Sequence, residues 1–203
     1  MKNGSYFGID FGTTNTSVYL YNYEHGKGAI GTGYGTNGRD ITPFSSCIAI
    51  SRNKDNDFKF GREVKEKINE YADDYKIVTS FKSLLGTDEE IVVNGVRYTG
   101  QKLAVLFLNY VKETVNAIRP DFDEAVFSIP VDFSARARTE LLEAAKCIGI
   151  KVKGFVSESS AAYISKINDI KAFSKVMVID FGGGTLDPVS YTHLRAHETE
   201  LHL

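Results

Sequence analysis

A four-residue string, Ile-Asp-Phe-Gly, occurs twice, at residues 9–12 and again at 179–182, and it restricts the possible folds more than any other feature. The first copy runs into Thr13-Thr14-Asn15 and the second into Gly183-Gly184-Thr185. Each copy ends an apolar, β-prone run in a carboxylate and then makes a turn of small and hydroxyl residues. Glycine lets the backbone approach an anion closely, and consecutive N–H groups in such a turn form an anion nest. An aspartate at a strand end can hold the waters of a Mg²⁺, which keeps part of its hydration shell. Two such turns facing one another would grip one polyphosphate–metal unit from both sides. A fold that uses them so brings these two segments to one cleft; the alternative is two ordinary β-turns.

The intervening pattern is compatible with that demand. Residues 5–10 and 16–23 read as the strands of an opening hairpin, with residues 11–15 as its turn. Residues 26–38 hold six glycines in 13 positions and read as loop. Strands are expected at 46–50 and 58–61, with a polar helix over 62–71. Asn94-Gly95 supplies the two positive-φ positions of a type I′ turn between strands at 90–93 and 96–98. Leu103, Leu106, Phe107, Tyr110, Val111, Val115 and Ile118 recur at helical spacing, and Pro120 lies just beyond. Residues 125–129 read as a strand, Ser134 as the cap of a helix to about Ile148, and Gly149 as its stop. A strand at 152–156, a helix at 159–167 and a buried strand at 176–181 complete a β-α-β-α-β order, which implies a layered α/β sheet with helices on its faces.

Composition narrows the function. The 203 residues are 42% hydrophobic and 25% charged, an ordinary globular balance. With 24 Lys and Arg against 26 Asp and Glu, the formal charge of −2 gives no support for a general nucleic-acid binder. Cys47 and Cys147 make neither a disulfide framework nor a metal site and fit a reducing cytosol. The longest apolar-rich stretch, residues 103–111, falls far short of the ~20 residues that span a bilayer, and the N-terminus does not read as a signal peptide. The expectation is a cytoplasmic protein that uses no membrane. Beyond Pro188 the chain loses apolar periodicity and holds three of its four histidines. His193 and His197 stand four apart without a third ligand. This run resembles translated sequencing-adapter read-through, so residues 188–203 are expected to be non-native and to fit no element.

Three familiar motifs are excluded. Asp-Phe-Gly occurs in protein kinases, but no His-Arg-Asp loop or kinase lysine strand accompanies it. Gly33-Tyr34-Gly35-Thr36-Asn37-Gly38 fits the dinucleotide fingerprint formally, yet no helix follows it. No P-loop is present.

Five segments in order resemble the seventy-kilodalton heat-shock chaperones of the DnaK type. Residues 7–18 are similar to that family's first phosphate motif and 178–187 to its second. Phe81-Lys82-Ser83-Leu84-Leu85-Gly86 is similar to the segment carrying its catalytic lysine. Ser128-Ile129-Pro130-Val131-Asp132-Phe133 resembles its connecting segment, and Glu158-Ser159-Ser160-Ala161-Ala162 its Glu-Pro-Thr-Ala-Ala segment. Two departures stand out: Ser159 replaces the family's proline, and Asp132 stands where an aromatic is usual.

The resemblance implies an α/β, actin/hexokinase-like (ribonuclease H-like) ATPase fold. Residues 1–187 would be the N-terminal portion of the nucleotide-binding domain, with a subdomain inserted at about 46–122. That portion comprises the first lobe plus the first strand region of the second, a truncated unit expected to bind nucleotide weakly or be inactive. It implies ATP or ADP and Mg²⁺ as ligands. Gly12, Thr13, Thr14 and Asn15 would meet the phosphates from one lobe and Gly183, Gly184 and Thr185 from the other. Thr185 also counts among the implied catalytic residues. Asp10 and Asp180 would hold the hydrated Mg²⁺. Lys82 would steady the γ-phosphate and attacking water, and Glu158 would orient that water or take its proton. Pro130 and Arg138 would match the lever that relays nucleotide state outward. The implied partners are unfolded polypeptide clients, a J-domain protein and a nucleotide-exchange factor. The alternatives are an actin-like filament protein, a nucleotide-binding regulator without turnover and, less well supported, a sugar kinase.

Overall fold

The computed structural model describes residues 5–23, 29–36, 42–170, 174–181 and 186–192. In chain order the elements are β1 (Ser5–Phe11), β2 (Asn15–Tyr23), β3 (Ala29–Tyr34), β4 (Phe44–Ser45), β5 (Cys47–Ser51), β6 (Phe58–Phe60), α1 (Gly61–Glu66), α2 (Ile68–Tyr71) and β7 (Tyr75–Thr79). A 3-10 turn at Phe81–Leu84 follows, then β8 (Glu90–Val93), β9 (Val96–Thr99), α3 (Gly100–Asn116), β10 (Glu124–Ile129), α4 (Ala135–Cys147), β11 (Lys151–Ser157) and α5 (Glu158–Ser165). A short 3-10 turn and the hairpin β12 (Lys175–Phe181) and β13 (Leu186–Thr192) end the described chain.

The main sheet has the order β11-β10-β1-β2-β3, with β4 pairing the start of β2. β1 runs parallel to β10 and β10 to β11, whereas β1–β2 and β2–β3 are antiparallel. Alternation explains why these segments are strands. Phe7, Ile9 and Phe11 of β1, Val18 and Leu20 of β2, and Ala125, Phe127 and Ile129 of β10 all point into one core. Against that face lie α3, through Leu103, Phe107, Val111 and Val115, and α4, through Ala137, Leu141, Ala144 and Ala145. Each buried large side chain contributes about 1.5–3 kcal/mol of transfer free energy. Phe81 and Phe107, with ring centroids 5.4 Å apart at 60°, add an aromatic edge contact. This strand order, with two helices on one face and α5 toward the other, is the ribonuclease H-like arrangement of an actin/hexokinase-like ATPase lobe.

Between β4 and β10 the chain builds a three-stranded sheet, order β6-β5-β7, and the hairpin β8–β9. Ile48, Ile50 and Val78 from this part join the same core as the main sheet. Asn94 and Gly95 take φ of 51° and 74°, as a type I′ turn requires. Ser134 caps α4 by accepting from the Ala137 amide, and Lys112 of α3 donates to the Ile148 carbonyl at the other end of α4.

Several expectations need correction. The glycine-rich stretch contains β3, whose backbone pairs with β2 from Val18 to Tyr23 despite its few side chains. The helix expected over 62–71 breaks at Lys67, where φ is −107°. β7 was not anticipated, because only Val78 of its five residues is buried. Strand β12 joins no main-sheet ladder among the described residues; it pairs with β13, and its Met177 and Ile179 are 63% and 60% exposed rather than buried. The chain beyond Pro188 does enter an element, since β13 continues to Thr192. Proline is tolerated there because both strands of a two-stranded ribbon are edges. His193 and His197 lie outside the described residues.

Candidate functional site

The first phosphate-type turn is held from outside by Ser46. Its hydroxyl donates to the Gly12 carbonyl at 2.8 Å and its amide to the Thr14 carbonyl at 2.9 Å. With that proton committed, Thr16 Oγ1 is the donor in its 3.0 Å contact with Ser46 Oγ. Thr16 and Ser46 are both buried, so the turn rests on a satisfied polar base while Thr14 and Asn15 face solvent. Glycine at 12 is a packing requirement: a Cβ there would collide with the Asn15 carbonyl, a backbone atom that no rotamer change can move. Gly12→Ala is expected to cost about 1–3 kcal/mol, lowering the melting temperature by several degrees in a thermal circular-dichroism scan. An unchanged melting temperature would show that the turn relaxes freely.

Lys82 is placed by a reversal after β7. Ser80 adopts left-handed backbone, φ 55°, which costs a non-glycine residue about 1 kcal/mol or more and turns the chain inward. Phe81 then packs against Phe107 and Phe11, and Lys82 is only 4% exposed. Gly100 lets the first turn of α3 lie directly on the Leu84–Leu85 backbone, where a Cβ would come within 2.6 Å of the Leu85 nitrogen. On the other side the Gly86 amide donates to Glu140 at 2.8 Å, and Arg136 donates to the Thr87 carbonyl at 3.0 Å. The Lys82 ammonium lies 5.9 Å from the Phe11 ring centroid and 5.7 Å from that of Phe133. Its Nζ donates to Glu158 Oε1 at 2.8 Å. Desolvating an ion pair this buried can cost as much as the pair returns in attraction, so it is weak evidence of a purely stabilising role.

Glu158 is the first residue of α5, which Ser157 caps by accepting from the Ser160 amide at 3.1 Å. The carboxylate is thus aimed by a capped helix rather than a loop, despite the serine at 159. The Tyr191 hydroxyl donates to Ser159 Oγ at 2.9 Å, and its ring stacks on Tyr163 with centroids 4.7 Å apart, fastening the β12–β13 hairpin to α5. Burial pushes the Glu158 pKa above the usual glutamate range; Lys82 opposes this by charge and hydrogen bond, while Asp10 and Asp180 add to it.

That electrostatic link reflects one cleft of about 560 Å³. Its floor is the outer face of the main sheet, with Asp10 and Ser128; α5 contributes Glu158, and β12 contributes Asp180. Residues 10 and 180, read from the repeated string, therefore line the same cavity, and Lys82 bonds to its wall. The cleft thus gathers three carboxyl groups, one of them bonded to the Lys82 ammonium. Among the described residues no three acidic, histidine or cysteine side chains converge into a direct metal cage. Oxygen donors on separate walls suit a cation that keeps its water shell.

Gly183, Gly184 and Thr185 lie outside the described residues. Pro130 and Arg138 do not line the cleft; they tie the β10–α4 loop, where the Phe133 amide donates to the Pro130 carbonyl at 3.2 Å and Arg138 Nε to the Phe133 carbonyl at 3.0 Å. Their connection to the site is Phe133, beside Lys82. Asp132 in this loop is exposed. Sequence reasoning gave no role to Ser46 or Ser128. The signal for Ser128 was a lone hydroxyl among apolar residues in a strand beside β1.

The sequence model of the Hsp70 protein family matches residues 6–198. The chain belongs to the Hsp70 family. A curated relative, the chaperone protein DnaK of Mycoplasmopsis agalactiae, is 29% identical over 182 residues, covering 89% of this chain and 28% of the relative. The Hsp70 chain thus spans a little over a quarter of the length of that relative. Residues 6–198 include all five segments on which the resemblance was drawn, and both walls of the cleft.

Proposed function

We propose that this Hsp70 chain carries the phosphate- and metal-binding half-site of an ATP-hydrolysing chaperone. The observation that carries the reading is the shared cleft of Asp10, Glu158 and Asp180 with buried Lys82 bonded to its wall. Asp10 and Asp180 would hold a hydrated Mg²⁺, which would supply charge neutralisation to the phosphates. The amides and hydroxyls of Gly12–Asn15, with Gly183, Gly184 and Thr185, position the phosphate oxygens. Lys82 meets the terminal phosphate and attacking water, and Glu158 orients that water or receives its proton. Phosphoryl transfer asks chiefly for such positioning and charge stabilisation. Phe133 couples the state of Lys82 to Pro130 and Arg138. By likeness to DnaK, the clients are unfolded polypeptides, assisted by J-domain and nucleotide-exchange partners in the cytoplasm.

The test is a nucleotide titration followed by amide NMR, which registers even millimolar binding. Mg²⁺–ATP is expected to move the Gly12–Asn15 amides and adenosine to leave them in place, with Asp10→Asn weakening the response about tenfold or more. Equal shifts with adenosine, or none with Mg²⁺–ATP, would overturn the reading.

A further inference from the structure

Ser128 is the one cleft-facing hydroxyl on β10, and its place is set by register. β1 and β10 run parallel with Asp10 opposite Ser128, so both side chains emerge on the cleft face while Phe127 and Ile129 enter the core. Serine has a weak preference for strands, and a β-branched apolar residue would pack better at this site. Yet Ser128 is only 8% exposed, and its Oγ donates to Asp10 Oδ1 at 2.5 Å. That length belongs to a charge-assisted O–H···O⁻ bond, among the stronger hydrogen bonds in proteins.

The bond has a directional consequence. Asp10 is otherwise exposed at the end of β1, where an unrestrained carboxylate samples several rotamers. Ser128 engages Oδ1 of a carboxylate that itself lines the cleft, so one oxygen is committed and the other is left for a ligand. Ser128 sits on a strand paired in register with β1, so the bond ties the carboxylate to the sheet floor and restricts its rotamer. Groups that orient metal-binding side chains from behind typically change metal affinity by about 10- to 100-fold when removed.

The geometry points to Ser128 as a positioning residue for the metal-binding carboxylate Asp10, selecting the Mg²⁺-loaded nucleotide over the bare one. This rests on the polyphosphate–metal reading of the cleft and adds a determinant of metal selectivity that lies behind the carboxylate.

The test compares wild-type chain, Ser128→Ala and Ser128→Thr, each titrated with Mg²⁺–ATP and separately with ATP in excess chelator. Ser128→Ala is expected to weaken Mg²⁺–ATP binding about tenfold, leave metal-free ATP binding unchanged and keep the thermal unfolding midpoint. Ser128→Thr, which retains the hydroxyl, is expected to restore the preference for the metal-loaded nucleotide. Equal losses with and without metal would show a merely structural role, and no loss in either titration would show that Asp10 needs no orientation; each overturns the proposal while the cleft reading stands. A wild-type chain with no preference for Mg²⁺–ATP would overturn the cleft reading and the role of Ser128 together.

Discussion

In a full-length Hsp70 protein carrying this segment, Lys82→Ala is expected to reduce ATP hydrolysis by at least about 10²-fold, the scale on which loss of one charge-stabilising donor acts, while leaving measurable nucleotide binding. The phosphate turn and Asp10 are untouched by the change, so affinity should fall less than turnover. The substitution also removes the partner of a half-enclosed carboxylate, Glu158, whose pKa burial already raises. Because Glu158 keeps some contact with water and can take up a proton, the stability cost is about 2–3 kcal/mol rather than the larger figure for a fully buried pair. That corresponds to a fall of roughly 5–10 °C in melting temperature. Lys82→Met retains a stem against Phe11 and Phe133 and should recover part of the stability but none of the turnover. Single-turnover hydrolysis with melting curves on both variants separates the two effects. Near-normal hydrolysis in either would remove Lys82 from the chemistry.

In the same full-length protein, and on the proposed role of Glu158 as base, Glu158→Gln is expected to lower turnover by about 10²–10⁴-fold, the range for losing a general base, and to abolish the acid limb of the pH–rate profile. In the wild-type protein that limb should lie above the usual glutamate range, because burial raises the Glu158 pKa against the opposing pull of Lys82. Stability carries the same signature with a defined sign. A carboxyl whose folded pKa is raised binds its proton more tightly folded than unfolded. Its contribution favours the folded state below the ordinary value of 4.5 and is lost as pH rises through the raised folded value. Across that window wild-type stability should decline relative to Glu158→Gln. Denaturant titrations at a series of pH values would show this, and parallel pH dependence in the two proteins would contradict it.

Local signals made much of this fold readable. Alternation in β1, β2 and β10, the helical spacing of α3, the Ser134 cap and Asn94-Gly95 are each complete within a few consecutive residues. What escaped depends on partners distant in sequence. β3 has little side-chain pattern and exists because β2 offers a ladder. β13 was obscured by Pro188, which is disfavoured in a central strand but harmless in a ribbon. At the site, the repeated string drew attention to Asp10 and Asp180 because it is self-similar. Ser46 and Ser128 acquire meaning only through bonds to residues 34 and 118 positions away. Glu158 was found through its segment, but its fixed aim arises from the Ser157 cap and could not be read from Ser159 replacing a proline.

The hairpin that bears Asp180 shares no backbone ladder with the sheet that bears Asp10 among the described residues. Among the described residues the two acidic walls are joined by side-chain contacts along α5, including those of Tyr191 with Ser159 and Tyr163, and by no strand ladder. Exchanging such contacts for water would separate the jaws of the cleft at no cost to any strand pairing of the main sheet.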